Sequence, residues 1–234
     1  MSSETLSVRL RKSLPALTVE VTFEVPPGVT ILFGPSGAGK STTLSAIAGI
    51  VRPDAGRVAL GDVTLYDSER AIDVPAESRR LSLVFQSLAL FPHLTARQNV
   101  EYGIDRKVAA SERTERASRM LERMKVAHVA DRRPSTFSGG EAQRVALARA
   151  FAREPRVVLL DEAFSAMDRE LRYELGREVR AMVDELRIPT LLVTHHRMEA
   201  RLVGDRAVLI RDGRIEAEGP VRDVVPAPER EQQR

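Results

Sequence analysis

The stretch Gly34-Pro35-Ser36-Gly37-Ala38-Gly39-Lys40-Ser41-Thr42 decides how the rest of the chain is read. Its spacing fits G-x-x-x-x-G-K-[ST]. The residues before it, Val29-Thr30-Ile31-Leu32-Phe33, are apolar and β-prone, and those after it, Thr43-Leu44-Ser45-Ala46-Ile47-Ala48, read as a helix. Strand, glycine-rich turn and helix form the context this spacing requires. Glycines let the backbone curl so that successive N–H groups converge on phosphate oxygens, and the helix N-terminus adds its partial positive charge there. Lys40 can reach the β- and γ-phosphates, and Ser41 can ligate Mg²⁺. Four fixed positions coincide by chance in roughly one chain in a hundred of this length, and the flanking strand and helix lower that further. The stretch predicts a nucleoside-triphosphate site.

The chain has 234 residues, enough for one sizeable core with a lobe attached or for two small domains. Hydrophobic residues make up 43% and charged residues 29%, ordinary for a soluble globular chain. The formal net charge of +3 is too mild to argue for nucleic acid, although the sequence pI is near 9.6. The absence of cysteine excludes disulfides, thiol catalysis and thiolate metal sites. The four histidines lack zinc-ligand spacing. Met1-Ser2-Ser3-Glu4-Thr5 begins no signal peptide, and no apolar run approaches the roughly 20 residues of a membrane span. The expectation is a cytoplasmic protein whose membrane role, if any, runs through a partner.

Working outward, Leu6, Val8 and Leu10 alternate with polar residues, as do Val19, Val21, Phe23 and Val25; both stretches read as half-buried strands of an antiparallel layer. Pro26-Pro27-Gly28 turns into the strand before the glycine loop. Short strands are predicted over 57–60, 63–66 and 81–85, the last ending at Gln86. After it the character changes. Ala117, Met120, Leu121 and Met124 form one helical stripe, opposite a solvated face of arginines and glutamates. Val157-Val158-Leu159-Leu160 and Thr190-Leu191-Leu192-Val193 read as strands covered on both faces, separated by a helix with Leu171, Leu175, Val179, Met182 and Leu186 on one side. Ala207-Val208-Leu209-Ile210 is a further strand, turned back at Asp212-Gly213. Alternating strands and helices imply an α/β core with a parallel sheet. The core with its β layer is expected over about 1–87 and 154–225, an inserted helical section over about 88–153 and a frayed polar tail over 226–234.

Two further stretches carry chemistry. Asp161 and Glu162 follow the buried strand at 157–160, and ligands of open α/β sheets sit at the carboxyl ends of the strands. Asp161 can hold Mg²⁺ opposite Ser41, and Glu162 can orient the attacking water or accept its proton. A solvent-facing strand end is the bland alternative. Ser138-Gly139-Gly140-Glu141-Ala142-Gln143-Arg144 opens a helix, and Ser-Gly-Gly at a helix start is either a plain N-cap or a second anion site.

The phosphate loop, Gln86, Ser138-Gly139-Gly140-Glu141-Ala142-Gln143-Arg144, Asp161-Glu162, Ser165-Ala166-Met167-Asp168 and His195 occur in the order found in ATP-binding-cassette (ABC) transporters. From about Leu6 to Val225 the chain resembles their nucleotide-binding subunit. The resemblance implies a single ABC ATPase domain: a P-loop NTPase (RecA-like) core with an N-terminal antiparallel β layer and an inserted α-helical subdomain. It implies ATP and Mg²⁺ as cofactors, with residues 34–42 holding the phosphates and Ser41, Gln86 and Asp161 near the metal. Glu162, Gln86 and His195 are the implied catalytic group, with His196 a weaker candidate than His195. Two copies are expected to close head to tail over two ATP molecules, so that Ser138, Gly139 and Gly140 of one copy meet the γ-phosphate on the other, while Asp168 speaks across that interface. The implied partners are a transmembrane permease subunit, received at about 88–102, and through it a periplasmic or extracellular substrate-binding protein. No nucleic acid is expected, and the place of work is the cytoplasmic face of the plasma membrane, peripherally.

The chain departs from the family in lacking an aromatic residue around 9–15, where Arg11 is the candidate to stack on the base, and in carrying Ala163 where proline is usual. Glu141 replaces a commoner glutamine with no change of predicted chemistry. Residues 66–80 resemble molybdate-importer ATPases, and residues 86–103 resemble importers of molybdate, sulfate, iron and polyamines alike. The expected cargo is molybdate or a related oxyanion, with sulfate, iron or polyamine as the alternative. A non-transport ABC ATPase of DNA repair or translation is more remote, since neither tandem cassettes nor a long coiled coil is present. A phosphate-loop kinase leaves Ser138-Gly139-Gly140 unexplained.

Overall fold

The computed structural model describes residues 4–164 and 167–227. The first strands, β1 (Leu6–Leu14) and β2 (Leu17–Val25), form an antiparallel hairpin whose alternating residues are buried. Sequence alternation carries β1 only to Arg11. The hairpin carries it further, because Lys12, Ser13 and Leu14 pair with Val19, Thr18 and Leu17 across a two-residue turn at Pro15 and Ala16. That extension sets the turn beside the glycine loop.

After β3 (Gly28–Phe33) comes α1 (Lys40–Ala48), which begins at the loop lysine. The strands β4 (Ala55–Leu60), β5 (Val63–Asp67) and β6 (Ile72–Asp73) extend the antiparallel part from β1, and β7 (Leu81–Val84) lies at the opposite edge of the sheet. The helices α2 (Ala96–Gly103), α3 (Ala110–Arg123) and α4 (Gly139–Ala152) follow. Then come β8 (Val157–Asp161), α5 (Arg169–Leu186), β9 (Pro189–Thr194), α6 (Arg197–Val203), β10 (Arg206–Arg211), β11 (Arg214–Pro220) and α7 (Val221–Val224).

All the strands among the described residues belong to one sheet, in the order β6-β5-β4-β1-β2-β11-β10-β3-β9-β8-β7. The parallel strands β10, β3, β9, β8 and β7 lie side by side, as the buried apolar runs predict. The antiparallel layer is continuous with them rather than separate. The join is narrow: β11 meets β2 at Arg214 and Glu20, and the Glu20 N–H donates to the Gly213 carbonyl at 2.7 Å.

The helices α2, α3 and α4 pack on one another and on the sheet in one apolar core, which joins Val100, Leu121 and Phe151 to Val84, Val158 and Leu160. α2 is started by a capping box: the Gln98 N–H donates to Thr95 Oγ1 at 3.3 Å and the Thr95 N–H to Gln98 Oε1 at 2.9 Å. α3 buries Ala117 and Leu121 and pairs Arg116 with Glu112 and Arg119 with Glu115 on its wet face. Arg144 of α4 is buried. It pairs with Glu178 of α5 and donates to the Met124 carbonyl at 3.2 Å, tying three helices together.

A candidate nucleotide site at the strand ends

The strands β3, β8 and β9 end at Phe33, Asp161 and Thr194, side by side on one edge of the parallel sheet. Each hands its chain to a segment that sequence reading marks as functional. The glycine loop leaves β3 at Gly34, where φ is 156° and a Cβ would stand 2.1 Å from the Ile210 carbonyl oxygen. At Gly39 φ is 99° and a Cβ would meet Val19 Cγ2 at 2.5 Å, so only glycine lets the loop lie under the hairpin. The next residue, Lys40, opens α1.

Lys40 is 6% exposed, and its Nζ donates to the carbonyls of Gly34 at 2.9 Å and Pro35 at 2.7 Å. Burial pulls its pKa below the usual lysine value, opposed by the nearby Glu162 and Asp161 charges. Ser41 Oγ lies 3.1 Å from Asp161 Oδ1 at the end of β8. Burial raises the Asp161 pKa and the Ser41 hydrogen bond lowers it, while Glu162 raises it and Lys40 lowers it. A hydroxyl and a carboxylate at this spacing are hard oxygen donors of the kind Mg²⁺ takes, and they fit that ion together with the phosphate oxygens the loop is shaped to receive.

Glu162 has the left-handed φ of 48°, uncommon for a residue with a side chain. Its N–H donates to the Val193 carbonyl at 3.0 Å. The carboxylate accepts from Gln86 Nε2 at 3.3 Å on one oxygen and meets His195 Nδ1 at 3.1 Å on the other. Gln86, Glu162 and His195, which lie far apart in sequence, are thus in one chain of contacts. The ring of His196 lies 4.1 Å from that of His195, and burial lowers its pKa, aided by His195 and Arg172.

A cavity of ≈ 480 Å³ opens between the glycine loop and the β1–β2 turn, lined by Leu14, Leu17, Ser36, Lys40, Thr42 and Glu162 among others. Arg11 is exposed and does not line it, so the aliphatic turn residues stand where Arg11 is expected to stack. A larger cleft of ≈ 1000 Å³ lies elsewhere, between the Phe85 segment and the helices, with Phe91, Tyr102, Arg106 and Arg149 in its wall.

Ser138, Gly139 and Gly140 do not line the loop cavity. Ser138 is the N-cap of α4, accepting from the Glu141 N–H at 3.2 Å, while Glu141 accepts from the Ser138 N–H at 2.7 Å. That bond, followed by the contact with His128 at 2.9 Å, holds the Glu141 carboxyl down at about 2. Glu141 therefore has a capping duty that sequence reading does not give it. Asp168 caps α5, accepting from the Leu171 N–H at 2.9 Å. Ser165 and Ala166 of the same expected motif lie outside the described residues. Thr194 and Glu199, behind His195, are absent from the sequence expectations; their burial is visible only in the fold.

Residues 19–165 match the family described as ABC transporter. The molybdenum import ATP-binding protein ModC of Brucella melitensis is 40% identical over 97% of this chain and 62% of its own length. The molybdate/tungstate import ATP-binding protein WtpC of Archaeoglobus fulgidus is 41% identical over 95% of this chain and 90% of its own. The spermidine/putrescine import ATP-binding protein PotA of Shigella flexneri is 44% identical over a shorter 84% and 51%. The chain thus spans 62% of the length of that ModC relative. A dimeric ATP-binding cassette solved in a post-hydrolysis state with ADP and Pi superposes with a TM-score of 0.79, at 28% identity, over 93% of this chain and 99% of its own. Match, fold and the order of motifs agree: the chain belongs to the ABC transporter family.

Proposed function

We propose that this chain is the ATP-binding and ATP-hydrolysing subunit of an ABC importer that works through a separate membrane subunit, with molybdate or a related oxyanion as cargo. The observation that carries the ATPase reading is the convergence of three contacts, Ser41 with Asp161 and Glu162 with both Gln86 and His195, around the buried Lys40 at the strand ends. Residues 34–42 cradle the phosphates with their backbone N–H groups, and Lys40 exchanges the Gly34 and Pro35 carbonyls for phosphate oxygens. Ser41, Asp161 and Gln86 would hold Mg²⁺, which would neutralise charge on the phosphate oxygens. Glu162 accepts the proton of the attacking water. His195, kept in place by Glu162, contacts the γ-phosphate.

The oxyanion cargo is supported by the names of the molybdenum and the molybdate/tungstate import relatives. Polyamine import is the second reading, favoured by the higher identity of its relative but over less of the chain. A homodimer is the working form, with Ser138, Gly139 and Gly140 facing the partner's ATP. The dimeric cassette supports it. Among the described residues no helix is long and apolar enough to cross a membrane, and the membrane path is assigned to a permease partner. The cleft walled by Phe91, Tyr102 and Arg149 is its docking place, and the exposed Tyr102 ring suits a partner helix. A substrate-binding protein on the far side of the membrane would deliver the cargo, with this chain peripheral on the cytoplasmic face and no part for nucleic acid.

Glu162→Gln tests the reading. The variant is expected to bind ATP, to hydrolyse it at least about a hundred-fold more slowly and to accumulate as an ATP-bound dimer. Turnover at the wild-type rate sinks the base assignment. Purification from gently solubilised membranes tests the rest: a multi-span protein and an oxyanion-binding receptor should accompany the chain.

A further inference from the structure

Behind the site, Glu199 is a buried acid that the proposed chemistry does not use. It sits in the first turn of α6, 4% exposed. One carboxyl oxygen, Oε2, lies 3.1 Å from Thr194 Oγ1, and the other, Oε1, is buried with no hydrogen-bond partner. Thr194 Oγ1 in turn accepts from the His196 N–H at 3.0 Å. Its own proton is therefore directed to Glu199. This is the acid's half of a capping box with a hydroxyl inserted: Glu199 at the third helical position holds the N-cap N–H through Thr194, and the His196 side chain makes no return bond. Thr194 ends β9, and the residue between it and His196 is His195, whose Nδ1 meets Glu162.

We propose that Glu199 is a positioning residue of the nucleotide site, holding through the Thr194 hydroxyl the turn that presents His195 to Glu162. The claim rests on the reading of Glu162 and His195 given above. A helix start needs only a cap, and a serine or aspartate at His196 would supply one from the surface. A buried acid is a costly substitute, tolerated where it fixes a geometry that a loose surface cap would not. Fixing it matters because an error of about 1 Å in a group that touches the reacting atoms costs up to about a hundred-fold in rate.

The full chain tests this with Thr194→Val, Thr194→Ser, Glu199→Leu and Glu199→Gln. ATP hydrolysis is measured across a range of ATP concentrations, and the His195 side-chain nitrogen signals are followed by NMR. Thr194→Val and Glu199→Leu are expected to lower kcat about ten-fold or more, to leave KM within about two-fold, and to shift the His195 signals. Thr194→Ser and Glu199→Gln, which keep the hydroxyl and an acceptor oxygen, are expected to rescue both readouts relative to those variants. The proposal is overturned if Thr194→Val leaves kcat and the His195 signals at wild type. It is equally overturned if kcat falls and KM rises in step while the signals stay put, or if the serine and glutamine variants fail to rescue. A wild-type chain that binds no ATP would instead overturn the nucleotide-site reading, and the His195 signals alone would then decide whether Glu199 holds the turn.

Discussion

Lys40 shows what a single residue can be asked to do. Its ammonium is held by two backbone carbonyls in a partly desolvated site, a position of tension that a phosphate relieves. Lys40→Ala is expected to lower ATP affinity at least about ten-fold, measured by titration with a fluorescent ATP analogue, since a charge-assisted contact is worth roughly 1.5–3 kcal/mol. Glu199 gives a prediction with the opposite electrostatic sense. Burial pushes its carboxyl from 4.5 up to about 7, against the Thr194 hydrogen bond and the Arg172 charge and with the help of Glu162. Of the elements packed on α6, α5 offers Arg172 and Arg180, α7 offers the exposed Arg222 and Asp223, and β3 and β9 carry no ionisable side chain. Between those two pH values the folded chain keeps a proton that the unfolded chain has released, so stability falls as pH rises through the window and stays lower above it. At about 1.4 kcal/mol per unit the loss is at most about 3.5 kcal/mol. Glu199→Gln should therefore raise the melting temperature more at pH 8 than at pH 5, and an equal effect at both would refute the assignment. Neither Thr194 nor Glu199 is legible in the sequence. A glutamate between Arg197 and Arg201 carries no local sign of burial, and the contact of Glu162 with Gln86 spans 76 positions. The loop spacing and the Asp161-Glu162 pair are legible because their chemistry is local.

At the scale of elements, sequence periodicity locates the strands well where burial alternates or is continuous, as in β2, β8 and β9. It fails where partners decide. β1 outruns its apolar pattern because β2 supplies register, and α4 is buried on nearly every side, so its Gln143 and Arg144 look like a wet face in sequence and are not. Arg79 is the strongest case. Nothing in its surroundings in sequence marks it out, yet it is wholly buried, donating to the carbonyls of Ala46 at 3.2 Å, Ile47 at 2.7 Å and Val74 at 2.8 Å and pairing with Asp73 at 3.1 Å. It closes the carboxyl end of α1, where unsatisfied carbonyls and the helix dipole both favour a cation. Arg79→Met is expected to cost roughly 3 kcal/mol, by leaving those carbonyls unpaired. The lost melting temperature should be accompanied by weaker nucleotide binding, because α1 carries Lys40 and Ser41. Arg79→Lys, without the planar fork, should recover little of either. Full stability in Arg79→Met would mean that water satisfies the helix end.

At the scale of the molecule, the narrow junction between β2 and β11 makes one sheet of a hairpin layer and a parallel core, and this is why the β1–β2 turn can overhang the glycine loop. Adjacency of that kind needs the strand order, which no local pattern carries. The Ser-Gly-Gly helix start poses the remaining question at this scale, since it is outside the loop cavity of its own chain. Gly139 answers it physically. A Cβ there would meet nothing within 4 Å, and no left-handed backbone angle calls for glycine, so the fold of one chain gives no reason for it. Gly139→Asp is therefore a clean test of assembly. An acid at the first position of α4 suits the helix dipole by about 0.3–1 kcal/mol and replaces a poor helix former, so the melting temperature should hold or rise. The nucleotide affinity of the single chain should not change. In a head-to-tail dimer the same carboxylate would face a phosphate of the partner's ATP, with like charges in a water-poor interface. ATP-dependent dimerisation of the slowly hydrolysing Glu162→Gln chain, followed by light scattering, should then be lost when Gly139→Asp is added. A dimer that persists would remove Ser138, Gly139 and Gly140 from the interface and leave them a plain helix cap.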